Sequence, residues 1–215
     1  MSAIELIRLK IESDIFDYNQ LMEALSGYKK PRDVVSALLR SQKIIRIRKG
    51  LYYFSEFWQN QSVSYELMAN LVYGPSAISL DYALSYYGLI PEKVMAITSV
   101  TPGRSRVYDT PAGRFSYTHL PQHCYAFGMT IEKTGNFQWL ITQPLKALAD
   151  KVWADKRLRP VSPASFHSYL FHDLRIDENT LLGYLNKESL ALIKQQYAKR
   201  KVDWMVDFLM NTMQP

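Results

Sequence analysis

The segment Lys29–Phe54, KKPRDVVSALLRSQKIIRIRKGLYYF, leaves few folds open to the chain that contains it. Pro31 suits the first position of a helix, where an N–H would lack a partner anyway and φ is already helical. At 100° per residue, Val34, Val35, Leu38 and Leu39 then form one apolar stripe. Arg32, Ser36 and Arg40, spaced four apart, line the other side with Asp33 near them. Immediately afterwards Ile45 and Ile47 alternate with Arg46 and Arg48, which predicts a strand with one apolar and one cationic face. Lys49-Gly50 makes a tight turn, Gly50 supplying positive φ, and Leu51, Tyr52, Tyr53 and Phe54 return as the second strand of a hairpin.

Two more helices are expected before this segment. Ser2 with Glu5 three residues on has the form of a capping box, and Ile4, Ile7 and Ile11 recur on one face, predicting a helix over roughly 3–12. Asp17 can cap a second helix, with Phe16 stapled against Leu21. That helix turns Leu21, Met22 and Leu25 inward and stops near Gly27, a residue suited to a left-handed position. Helix, helix, helix, hairpin is the order of a winged helix-turn-helix, expected over residues 1–58. In such a module the third helix enters the major groove and the wing flanks it on the backbone.

The charge is local to the same place. Lys29, Lys30, Arg32, Arg40, Lys43, Arg46, Arg48 and Lys49 face one acid, Asp33, so this stretch is +7 while the whole chain is +6; everything else together is −1. A basic helix followed by a basic hairpin is the electrostatic footprint of a nucleic-acid reader. The expected partner is double-stranded DNA, with Arg32, Ser36 and Arg40 on the reading face and the lysines, Arg46 and Arg48 toward phosphates. Protein docking or a plain solvated surface is the competing account of the same residues.

The remainder predicts an α+β arrangement. Phe57–Ser62 is a polar link, and a second domain over 63–215 follows. Helices are expected over roughly 64–72 and 78–87, the latter stopped by Gly88. From Val94 the period becomes that of strands: Val94–Val100, Arg106–Thr110, Arg114–Leu120, Tyr125–Glu132 and Phe137–Thr142. Short turns between them suggest a mostly antiparallel sheet, flanked by helices near 144–156, 163–172, 177–185, 188–198 and 201–212.

Cys124 is the only cysteine, which excludes an intrachain disulfide and fits a reducing compartment. The charged start MSAIELIRLKIESD is unlike a signal peptide, and no apolar run approaches the ~20 residues of a membrane span, so a soluble, cytoplasmic protein is expected. His119 and His123 are separated by Pro121 and lack a neighbouring acid, so no metal site is expected there. His167 and His172, five apart on a helix, are expected on different faces. There is no acid–x–Lys pair of the restriction-nuclease type, no P-loop and no Gly-x-Gly-x-x-Gly. No catalytic residues, cofactor or metal are therefore expected. Arg104 and Arg106, at a strand entry, could hold phosphate or an acidic partner. Lys194, Lys199, Arg200 and Lys201 lie near Trp204, which with Phe208 is expected in the core.

In its ordered motifs the chain resembles the AbiEi family of bacterial antitoxins, the regulator half of type IV toxin–antitoxin and abortive-infection pairs. The residues that carry the resemblance are the wing IIRIRKGLYYF, the helix SAISLDYALSYYGL, the stretch VMAITSVTPGRSRVYDTPAGRFSYTHLP and the segment WLITQPLKALADKVW. In the last, Pro144, Lys146, Ala147, Leu148 and Asp150 match the family's helix entry, while Leu145 replaces its Glu. The resemblance implies a winged-helix domain that represses its own operon and a C-terminal domain that counters a cognate nucleotidyltransferase-like toxin. Only the basic helix and wing carry over as site residues. A stand-alone regulator and a nucleic-acid-processing enzyme are the rival expectations.

Overall fold

A computed structural model describes residues 1–213. Helix α1 (Ala3–Lys10) starts on the expected reciprocal cap: Ser2 N–H donates to Glu5 Oε2 at 2.7 Å and Glu5 N–H returns to Ser2 Oγ at 3.5 Å. A short strand β1 (Ile15–Asp17), not foreseen, leads into α2 (Tyr18–Ala24). Asp17 caps it, accepting from Asn19 and Gln20 N–H at 2.8 and 2.9 Å. Phe16 and Leu21 are buried in one cluster, as a staple requires. Gly27, however, is not left-handed. The chain leaves α2 through successive tight turns, Ser26 N–H to Glu23 C=O and Tyr28 N–H to Leu25 C=O, so no positive φ is needed.

Helix α3 (Pro31–Arg40) begins at Pro31 and buries Val35 and Leu38, with Val34 and Leu39 half-buried. Strands β2 (Ile44–Arg48) and β3 (Leu51–Phe54) form the hairpin, with Gly50 at φ +87°. The sheet order is β1-β3-β2, so β3 is central and all of its residues are buried. One face, with Phe16, Ile44, Tyr52 and Phe54, packs on the three helices. The other, with Ile15, Ile47, Leu51 and Tyr53, joins a second, larger core. Simple alternation along β2 is corrected by a bulge between Arg46 and Arg48. Arg46 opposes Tyr52 and Arg48 opposes Leu51, leaving Ile47 as the extra residue.

The polar link is fastened rather than loose. Asp14 is buried, paired with Arg8 at 2.5 Å, and accepts from the N–H groups of Asn60 and Gln61 at 3.0 and 3.2 Å. Arg8 also lies 4.3 Å over the Phe54 ring. Asp14→Ala strands a largely buried guanidinium and removes the acceptor of two backbone donors. We expect a loss of about 3 kcal/mol, the low end for breaking a buried pair because Arg8 keeps some solvent contact. A urea midpoint unchanged within error shows that the link is held elsewhere.

Beyond the link stand α4 (Tyr65–Val72), β4 (Ala77–Ile78), α5 (Leu80–Tyr86), β5 (Ile97–Thr101), β6 (Arg106–Thr110) and β7 (Gly113–His119). Next come α6 (Gln122–Tyr125), β8 (Met129–Thr134), β9 (Phe137–Thr142) and α7 (Pro144–Ala154). Ile78 is thus a strand residue rather than a helix start, while Gly88 ends α5 at φ +70° as expected. Tyr125 belongs to α6, and β8 starts only at Met129 after Gly128 at φ +61°. The second sheet runs β6-β7-β5-β4-β9-β8 and is mixed, with three of its five strand pairs antiparallel and two parallel. The pairs β4/β5, β6/β7 and β8/β9 are antiparallel, whereas β5/β7 and β4/β9 are parallel. Residues 102–105 do not form a hairpin turn: β6 lies outside β7, and β7 comes back parallel to β5.

Helices α8 (Ser165–Ser168), α9 (Glu178–Tyr184), α10 (Lys187–Tyr197) and α11 (Arg200–Thr212) complete the α+β fold. A π-helical turn, Tyr169–Asp173, continues α8 and widens the spiral. It brings the rings of His167 and His172 to 6.0 Å centroid separation, so five-residue spacing does not put them on different faces here. No helix among the described residues is long and apolar enough to cross a membrane.

Candidate nucleic-acid interface

Helix α3 passes into β2 through Ser41–Lys43, closed by Lys43 N–H to Leu38 C=O at 3.0 Å with Gln42 at φ 53°. This short join keeps the helix and hairpin rigidly adjacent. Arg32, Ser36 and Arg40 are all exposed on α3, as are Lys29 and Lys30 before it and Arg46, Arg48 and Lys49 on the hairpin. Ser36 Oγ donates to the Arg32 carbonyl at 3.0 Å, which leaves its lone pairs free to accept. Lys43 differs: it is half-buried, its Nζ 5.9 Å from the Trp58 ring, and its carbonyl takes Ser55 N–H and Oγ–H at 3.1 and 3.2 Å. Its role is in part to pack the end of the hairpin. Among the described residues none of these cations is in an ion pair.

The charge of Arg48 is felt at a residue of the second sheet. Burial pushes the Tyr117 phenol well up, Tyr108 adds to this, and the Arg48 charge opposes them. Ile47, Leu51 and Tyr53 of the hairpin share the larger core with Tyr117 of β7. Arg106 pairs with Tyr117 across the β6/β7 ladder, and cross-strand partners share a face. Arg104 sits in the adjoining loop, exposed, on a well-fixed backbone. Gly103 N–H donates to Thr101 Oγ1 at 3.1 Å, and His119 Nδ1 lies 2.8 Å from the Gly103 carbonyl. His119 is thereby engaged in holding the loop. At Gly103 a Cβ would lie 2.8 Å from the Tyr73 hydroxyl, so the turn packs too closely for a side chain.

A second polar constellation is buried instead of exposed. Helix α7 is enclosed along Leu145–Asp150, and Lys146 and Asp150, one turn apart, pair at 2.8 Å. Lys146 Nζ also donates to Tyr197 Oη at 2.9 Å, and Tyr197 Oη–H donates to Asp150 Oδ1. Ser79 Oγ–H reaches Asp150 Oδ2 at 2.6 Å and Thr142 Oγ1–H reaches Ser79 Oγ at 3.0 Å. Burial and the neighbouring Asp150 hold the Tyr197 phenol far above its usual range. The cluster ties the ends of β4 and β9 to α7 and α10. In the sequence Lys146 and Asp150 stood only as matches to the resembled family's helix entry; their pairing and enclosure belong to the structure. Leu145, standing where the resembled family has Glu, is buried.

Cys124 lies nearby, its thiol pushed up by burial and its Sγ 3.5 Å from the Gln196 carbonyl, which keeps it in the unreactive protonated form. A pocket of about 210 Å³ opens beside the cluster, lined in part by Phe127, Gly128 and Lys146. The Lys146 amine is engaged with Asp150 and Tyr197, so this cavity has a wall of methylenes rather than a free nucleophile. No protein-family model matches the chain, and no curated protein matches it.

Proposed function

We propose that this chain is a DNA-binding transcriptional repressor whose residues 1–58 form a winged helix-turn-helix, and that it acts as the antitoxin of a type IV toxin–antitoxin pair. One observation carries the DNA-binding half. Arg32, Ser36 and Arg40 stand exposed on one face of α3, next to exposed Arg46, Arg48 and Lys49, with no carboxylate neutralising them among the described residues. On this reading α3 lies in the major groove of the operator and the hairpin follows the flanking phosphates. Arg104 and Arg106 extend the same backbone contacts from the second sheet. Regulation rather than catalysis is favoured because the buried polar cluster of α7 is closed upon itself.

The antitoxin half rests on the resemblance of the ordered motifs to the AbiEi family. Residues 63–215 then counter a nucleotidyltransferase-like toxin, directly or through its target. The test is co-expression with the neighbouring gene, using the intact protein and a variant with Arg32, Arg40, Arg46 and Arg48 changed to Ala. We expect both to rescue growth and only the intact protein to bind its own upstream DNA. Failure of the intact protein to rescue overturns the antitoxin assignment. Metal-dependent cleavage of DNA or RNA by the pure protein overturns the regulatory one.

A further inference from the structure

The segment after α7 meets the first turn of α11 around a pocket of about 480 Å³. Leu158, Pro160 and Trp204 give it an apolar floor, and Arg159, Lys199, Arg200 and Lys201 give it a cationic rim. Among the described residues none of these four cations is in an ion pair. Each is held by a neutral acceptor instead. Arg159 donates to the carbonyls of Lys156 and Leu158, and Lys201 Nζ to the Asp155 carbonyl at 2.8 Å. Arg200 is centred 4.4 Å over the Trp204 ring and the Lys199 amine 5.2 Å from the Trp153 ring. Such contacts orient a cation without cancelling its charge.

Crowding like charges around a partly apolar hollow is unfavourable unless an anion occupies it. Lys201 registers this: burial drives its amine down, Asp155 opposes, and the charges of Arg159 and Lys199 add to the depression. The chemistry of an occupant follows from the two kinds of surface. Several cationic N–H donors lining one pocket suit phosphate oxygens, and a guanidinium stacked on an indole beside an apolar floor suits a planar ring. We propose that this pocket binds a nucleoside phosphate, its phosphate among Arg159, Lys199 and Lys201 and its base against the Arg200–Trp204 stack. The volume is within the range of small-ligand sites. The pocket is lined by no residue of α3 or the hairpin.

Titration calorimetry of the full chain with ATP, inorganic triphosphate and a single-stranded oligouridine tests this. ATP is expected to bind at least about tenfold more tightly than inorganic triphosphate, because the base adds stacking worth about 1–3 kcal/mol. Arg159→Ala and Lys199→Gln, both at exposed positions, are each expected to weaken ATP about tenfold, whereas Arg40→Ala leaves it unchanged. Oligouridine binding tighter than ATP identifies a nucleotide within a strand as the occupant, and weaker binding identifies a free nucleotide; either supports the site. Equal affinity for ATP and inorganic triphosphate overturns it, as does no binding of ATP or oligouridine at millimolar concentration. Displacement of ATP by an acidic peptide at lower concentration than by oligouridine reassigns the pocket to protein docking and also overturns it.

Discussion

Lys146→Met is expected to remove about 5 kcal/mol of folding free energy, a third or more of what a domain ordinarily holds in reserve. The ammonium it deletes is 2% exposed and pairs with an Asp150 that is 0% exposed. Methionine fills nearly the same volume, so packing changes little and the electrostatic loss dominates. Asp150 then keeps the hydroxyls of Ser79 and Tyr197 but loses the one cation it pairs with among the described residues. A buried carboxylate with hydroxyl donors alone is far less well solvated than in water, and the unfolded chain has no such deficit. The double variant Lys146→Met/Asp150→Asn should recover much of the loss, since it removes both charges and leaves the hydroxyls an amide to bond. Urea unfolding of the four members of this cycle measures the coupling. A single-variant loss under about 1 kcal/mol shows that Asp150 does not require the lysine for its charge.

The second large effect is on DNA. Arg32→Ala/Arg40→Ala is expected to weaken duplex binding roughly thirtyfold or more, taking about 1 kcal/mol or more for each arginine lost from a groove contact. Both side chains are exposed and in no ion pair among the described residues, so the melting temperature should stay nearly constant. Affinity measured against salt separates the two ways an arginine can act. If both hold phosphate, the slope of log affinity against log salt falls by about 2 while weakening is equal on all sequences. If both read bases, the slope holds and discrimination between operator and unrelated DNA collapses. Unchanged affinity removes α3 from the interface and leaves its basic face as solvated surface.

How much could be read beforehand depended on the range of the interaction. Pro31, Val35 and Leu38 announced α3 correctly because helix starts and apolar stripes are settled within a few residues. The exposure of Arg32 and Arg40 followed from the same geometry. The hairpin's other face was different: Ile47, Leu51 and Tyr53 enter the larger core beside residues of the second sheet, which no local pattern encodes. Lys146 and Asp150 were visible only as motif residues; their pairing and the burial that makes it consequential were not.

Sequence alone determined the starts of α1, α2 and α3, the hairpin at Lys49-Gly50 and the stop at Gly88. Each is a choice of local backbone geometry and nearby hydrogen bonds. Tertiary structure alone decided the short strands β1 and β4, the bulge at Ile47, the outer position of β6 and the π turn joining His167 to His172. It also decided that the basic segment Lys29–Phe54 is only half surface, because β3 is covered on both sides. The reason is physical: strand partners and burial depend on residues far apart in the chain, whose meeting no periodicity within a segment encodes.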